Sequence, residues 1–244
     1  MKIMDNIYLV GSGQIGLSHL VDCHIYLIDG RDELALIDTG VGIEVEKIFA
    51  NIEEDGFDPT KVKKVILTHI HADHAGGCRE MKERLGCTIF APKNEINLLE
   101  RGTDEELGLI LAKQSGIYSP DYVFSHCSVD VAVSNGDTIR VGELQLKAIS
   151  IPGHSPGSTC YFLEHRGKRI LFTGDVVFYD GKIGLLNYWG SNLADYRSYI
   201  NRLASLSVDV LLPGHKLFTL REGQQHIDQA ISSLKKLSVP PTFI

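Results

Sequence analysis

Short apolar runs separated by glycine-bearing turns open the chain. Residues 7–10, 24–28 and 34–38 each read as a strand rich in Ile, Leu, Val or Tyr. Over 44–55 the period changes, and Val45, Ile48, Phe49 and Ile52 recur at the spacing of one helix face. Residues 64–67 (KVIL) form a buried-type strand that leads into Thr68-His69-Ile70-His71-Ala72-Asp73-His74. A helix over 77–85, a strand over 88–91 and helical segments over 94–100 and 105–115 follow, the last carrying Leu107, Leu109, Ile110 and Leu111. The second half repeats the style, with strands at 129–133, 144–149, 159–163, 169–172 and 208–212 and helices at 193–206 and 222–237. No linker, low-complexity tract or long charge run interrupts this order. It predicts a single α/β domain over 1–244, with helices outside sheets and a helical insertion at about 94–118. That insertion is expected to shape a pocket, pair two subunits or decorate the surface.

Composition narrows the class. With 244 residues, 43% hydrophobic and 23% charged, the chain can bury a core without disulfides or a structural metal. A metal site would therefore serve function. The net charge of -7 lacks the basic footprint of phosphate binding, so no nucleic-acid partner is expected. The five cysteines are odd in number and include no C-x-x-C pair, and no secretory leader is read at Met1. These features predict free thiols and a cytoplasmic location. No apolar run approaches the roughly 20 residues of a membrane span, so no membrane association is expected.

The candidate chemistry centres on His69-x-His71-x-Asp73-His74. Four ligand-type side chains in six residues cannot share one face of a strand or a helix, but a tight loop after a strand can turn them toward two adjacent ions. Imidazole suits zinc and other late divalent metals, and the carboxylate adds a harder oxygen. Three of the chain's 10 histidines fall in this window. His154 in PGHSPG, Asp175 in TGD and His215 in PGH each follow an apolar run and have a glycine beside them, which lets backbone approach closely. Singly, each would be a cap or turn residue; together they repeat one arrangement. The remaining histidines have no such partners in sequence. Gly11-x-Gly13-x-x-Gly16 matches a dinucleotide fingerprint, yet the next strand begins too soon for the helix that fingerprint requires.

HIHADH, PGHSPGS, the Asp of FTGD and the His of LLPGH together resemble the metallo-β-lactamase fold superfamily in its hydrolase branches, over about residues 34–215. The resemblance implies a four-layer αββα sandwich with two metals at one sheet edge. It assigns His69, His71 and His154 to one metal, Asp73, His74 and His215 to the second, and Asp175 to a bridge. Asp38, in LIDTG, matches a position that orients a ligand imidazole. Asp rather than Cys at 175 argues against antibiotic hydrolysis, and His rather than Glu at 71 argues against the flavo-diiron oxidoreductases. Size and acidity argue against the nuclease branches. Glyoxalase II-like thioesterases and acyl-homoserine lactonase-like enzymes remain. The rival readings are a mononuclear iron persulfide dioxygenase-like oxidoreductase, which shares much of this ligand set, and behind it a metal-dependent phosphodiesterase or nuclease.

Two divalent metal ions, zinc by default with manganese or iron as alternatives, lower the pKa of a shared water to about 7 and polarise a carbonyl. The expected substrate is therefore a small-molecule acyl ester, thioester or lactone. Asp73 is also a candidate for positioning the attacking hydroxide. Tyr179 and Tyr188, which follow Asp175 on a glycine-punctuated segment, are candidate oxyanion donors, with packing as the alternative. Trp189 and Phe178 are candidates for an apolar wall. A homodimer is compatible with the sequence.

Overall fold

A computed structural model describes residues 1–243, which divide into two compact units: residues 1–132 with 141–143, and residues 133–140 with 144 onward. The first unit carries a seven-stranded sheet laid side by side in sequence order: β1 (Lys2–Met4), β2 (Ile7–Gly11), β3 (Ile25–Asp29), β4 (Leu34–Ile37), β5 (Val62–Ile66), β6 (Thr88–Pro92) and β7 (Val131–Val133). β1 to β4 are antiparallel, whereas β4, β5 and β6 run parallel. Parallel neighbours need a crossover. Here α1 (Val45–Glu54) joins β4 to β5, and α2 (Ala72–Ala75) with α3 (Cys78–Leu85) joins β5 to β6.

Helix α1 buries Val45, Ile48, Phe49 and Ile52, the four positions its period marks. They pack in one core with Leu27, Leu36, Val65 and Ile89 of the strands and Met81 of α3. α3 stops at Gly86, which takes the left-handed conformation of a helix end. The 94–118 stretch holds α4 (Ile96–Arg101) and α5 (Leu109–Gln114). α5 begins later than the apolar pattern suggests because Gly108 is left-handed. Before it, the Thr103 N–H donates to Glu106 Oε2 (2.9 Å) and the Glu106 N–H to Thr103 Oγ1 (3.3 Å), a reciprocal cap on a single turn.

The second unit carries β8 (Thr138–Val141), β9 (Leu144–Ser150), β10 (Thr159–His165), β11 (Lys168–Gly174) and β12 (Val210–Pro213), in the spatial order β12-β11-β10-β9-β8. β10 is antiparallel to both β9 and β11, and β12 is parallel to β11. β9, β11 and β12 therefore point the same way. Two helices complete it, α6 (Leu193–Tyr199) and α7 (Gly223–Leu234), and α7 buries Ile227, Ala230, Ile231 and Leu234. The pattern predicts a helix to 206. Instead α6 passes into a 3-10 turn ending at Leu203, because Ser205 (φ 66) and Ser207 (φ 54) are left-handed. Among the described residues no helix is long and apolar enough to cross a membrane.

Candidate metal centre

In the first unit the site starts at the adjacent ends of parallel strands β4 and β5. Asp38 leaves β4 in a left-handed conformation, φ 63, and is buried. Its N–H donates to Ile66 O (3.1 Å) and its carboxylate turns toward the end of β5. There Oδ1 accepts the Thr68 N–H (2.8 Å), and Oδ2 accepts the Thr68 hydroxyl (2.8 Å) and the ring proton on His74 Nδ1 (2.9 Å). Thr68 has given its one proton to Asp38, so its oxygen accepts from His69 Nδ1, 3.0 Å away. An imidazole that donates from Nδ1 keeps its lone pair on Nε2. His69 and His74 are both oriented that way.

The ligand segment itself is not a pure loop, as the sequence suggests, but a short strand-to-helix transition. His71 is the N-cap of α2, and Asp73 and His74 sit within that helix. A four-residue helix is too short for periodicity to reveal. Its return brings the His74 carbonyl onto Thr39, which donates to it from N (2.7 Å) and Oγ1 (2.9 Å). His69 Nε2 and His71 Nδ1 face each other at 3.0 Å. Either His71 donates across this gap, or both nitrogens direct lone pairs at a shared cation. His74 Nε2 lies 3.8 Å from Asp73 Oδ2.

Three supporting residues were not found from the sequence. Thr68 is the link just described. Buried Glu95 accepts the Ile70 N–H at Oε2 (2.8 Å), anchoring the segment between His69 and His71. Tyr118 donates its hydroxyl to Asp73 Oδ1 (3.1 Å). Burial, with the Asp73 carboxylate beside it, pushes the Tyr118 hydroxyl well above the ordinary phenol range and keeps it a donor. Cys23, Asp38 and His74 also cluster, with ligand atoms within 4.8 Å of one another. Burial raises the Cys23 thiol above its ordinary range.

In the second unit His154, Asp175 and His215 follow the ends of β9, β11 and β12, three strands that point the same way. The Gly214 N–H donates to Gly174 O (2.7 Å), which ties the last two exits together. Asp175 Oδ2 lies 3.7 Å from His154 Nε2 and 3.6 Å from His215 Nε2. These gaps exceed a hydrogen bond. They approach the roughly 3.4 Å separating ligand atoms that sit about 2.0–2.1 Å from one tetrahedral ion. His154 Nδ1 donates to Gly184 O (2.5 Å), again leaving Nε2 with the lone pair. Only glycine fits at 184, where a Cβ would meet Asp175 O at 2.2 Å and His154 Nδ1 at 2.7 Å. The His215 ring stacks on Phe243 (5.8 Å, 10°), itself stacked on Phe178.

The donor set therefore suits divalent metal: imidazoles with fixed tautomers and carboxylates between them. The structure brings His69, His71, Asp73 and His74 together in one unit and His154, Asp175 and His215 in the other. The tyrosines have different neighbours. Tyr179 is exposed and lies against the His226 ring (4.3 Å), while half-buried Tyr188 pairs with the exposed Trp189 ring (6.2 Å). Phe178 is buried.

A sequence model of the metallo-beta-lactamase superfamily matches residues 20–215. The acyl-coenzyme A thioesterase MBLAC2 of Gallus gallus is 31% identical over 208 residues, 79% of this chain and 72% of that protein. The hydroxyacylglutathione hydrolase GloC of Haemophilus influenzae is 28% identical over 196 residues, 78% of this chain and 84% of its own. Among solved structures, the subclass B3 metallo-beta-lactamase BJP-1 of Bradyrhizobium japonicum aligns over 95% of this chain and 89% of that chain, with a TM-score of 0.74 and 26% identity. The α/β fold of metallo-β-lactamase type expected from the motifs is the fold observed. Ligand-type residues at strand ends, the HIHADH segment and a match across most of the chain agree, and the chain belongs to the metallo-beta-lactamase superfamily.

Proposed function

We propose that the protein is a dinuclear metal-dependent hydrolase of small-molecule acyl thioesters, with esters and lactones as further substrates. The observation that carries the reading is the tying of three imidazoles by Nδ1: His69 to Thr68, His74 to Asp38 and His154 to Gly184. Each is left with Nε2 as its donor atom, the arrangement of a metal-ligating histidine with its supporting partner. His69, His71 and His154 would hold one ion and Asp73, His74 and His215 the other, with Asp175 shared. Two such ions, zinc by preference, would supply Lewis acidity and a water of lowered pKa.

The chain's own residues do the rest. Asp73 holds a ligand position and directs the nucleophilic water toward the acyl carbon. Tyr188, half-buried on the segment after Asp175, is proposed to donate to the developing oxyanion, with Tyr179 as the second candidate. Thioesters are placed first because MBLAC2 is named an acyl-coenzyme A thioesterase and GloC a hydroxyacylglutathione hydrolase. The reading includes a cytoplasmic enzyme without a nucleic-acid or membrane partner, and homodimerisation is compatible with it.

Metal analysis and a substrate panel test this together. Two zinc, manganese or iron ions per chain and turnover of an acyl-coenzyme A or glutathione thioester are expected, with turnover lost on His71→Ala. One iron per chain with oxygen uptake would overturn the reading in favour of an oxygenase. Tyr188→Phe is expected to lower kcat at least tenfold, about 1.4 kcal/mol of transition-state stabilisation. Unchanged kcat in both Tyr188→Phe and Tyr179→Phe removes the tyrosines from the chemistry.

A further inference from the structure

We propose that Tyr118 is a positioning residue that fixes which oxygen of Asp73 is offered to a divalent cation. The inference rests on reading Asp73 and His74 as metal ligands. The two oxygens of Asp73 are in different settings. Oδ1 accepts the Tyr118 hydroxyl at 3.1 Å, while Oδ2 lies 3.8 Å from His74 Nε2. Because His74 is tied through Nδ1 to Asp38, Nε2 is its donor atom. Oδ2 and Nε2 therefore form the donor pair, and the phenol holds the other oxygen back. That hydrogen bond constrains the carboxylate's terminal torsion, which by itself has only broad preferences.

Tyr118 is itself held. Its ring stacks on Tyr122 (5.2 Å, 22°), and the Tyr122 hydroxyl donates to Val41 O (3.0 Å) on the turn after Asp38. At Gly76, just past α2, a Cβ would meet Val41 O at 2.3 Å and the Tyr122 hydroxyl at 2.7 Å. The tyrosine pair, the ligand helix and the Asp38 turn thus pack as one block. Tyr118 follows α5, so this contact also gives the 94–118 stretch a role: it delivers an orienting group to a ligand.

The test is a zinc titration of metal-free protein against a chromophoric chelator, for wild type, Tyr118→Phe and Tyr122→Phe, with circular dichroism to check each fold. Wild type is expected to bind two ions. Tyr118→Phe should bind one ion with unchanged affinity and the other 10- to 100-fold more weakly, the usual cost of losing a residue that orients a ligand. Tyr122→Phe, which steadies Tyr118 without touching Asp73, should show a smaller loss at the same ion. Two ions bound equally well by all three proteins would overturn the proposal, as would an equal weakening of both ions in Tyr118→Phe, which marks a general structural role. If wild type binds no metal, the dinuclear reading fails instead, so the two failures are distinguishable.

Discussion

Glu95 and Ile70 show how much of this site depends on single contacts with no local signature. The Glu95 carboxylate is buried and accepts the backbone N–H of a residue flanked by two histidines. Removing the carboxylate in Glu95→Ala leaves that N–H buried without this acceptor, a loss of about 1–3 kcal/mol. Urea unfolding of the metal-free protein should show the midpoint falling with the slope unchanged. The seven ligand-type residues stood out in the sequence because four crowd into the six residues of HIHADH and His154, Asp175 and His215 each follow an apolar run beside a glycine. Thr68, Glu95, Tyr118 and Phe243 were not. Glu95 and Tyr118 act on partners 25 and 45 residues away, and a polar residue with a distant partner looks like any surface residue until the chain is folded.

At the scale of elements, α1, α3 and α7 were legible because an apolar face persists over two or more turns. α6 was over-extended because nothing in an ordinary serine announces the left-handed conformation of Ser205 and Ser207. β1, of three residues, is too short to carry alternation; β8 does alternate, burying Ile139 and Val141, but over only four residues; and α2 was hidden inside the ligand-type motif. The connection between β11 and α6 is where an element meets the proposed chemistry, since a Cβ at Gly184 would meet both Asp175 O and His154 Nδ1, two residues proposed as ligands. Gly184→Ala forces a Cβ against backbone that cannot yield cheaply. It should cost about 1–3 kcal/mol of stability and weaken metal binding at least tenfold, read by thermal unfolding with and without zinc. Unchanged zinc affinity would mean that the Gly184 carbonyl does not orient His154.

Over the whole molecule, α/β class and family were legible from four short motifs, and the finer substrate class was not, because those motifs mark only ligand-type residues and none marks a group that would recognise an acyl chain or leaving group. Stability should also respond to pH through His226. It is buried in α7, accepts the Asp180 N–H at Nδ1 (3.1 Å) and lies against Tyr179. Burial lowers its pKa below the usual 6.5. The unfolded chain therefore takes a proton near pH 6.5 that the folded chain refuses until lower pH. The stability this site contributes is present above 6.5 and declines as pH falls toward the folded value. His226→Asn, which keeps an acceptor for Asp180, should flatten that slope in urea unfolding measured between pH 7.5 and 5.5. Asp38 has a different reach. Its Oδ2 receives both His74 and the Thr68 hydroxyl that in turn serves His69, so one carboxylate is common to imidazoles proposed for different ions. Charge gathered at either ring draws on the same chain of protons, and such linkage is reciprocal by thermodynamic necessity. Mutual repulsion of the ions acts in the same sense. Calorimetric loading is therefore expected as two separated steps, drawn closer together in Asp38→Asn, and this aspartate would govern the order of filling as well as the aim of the rings.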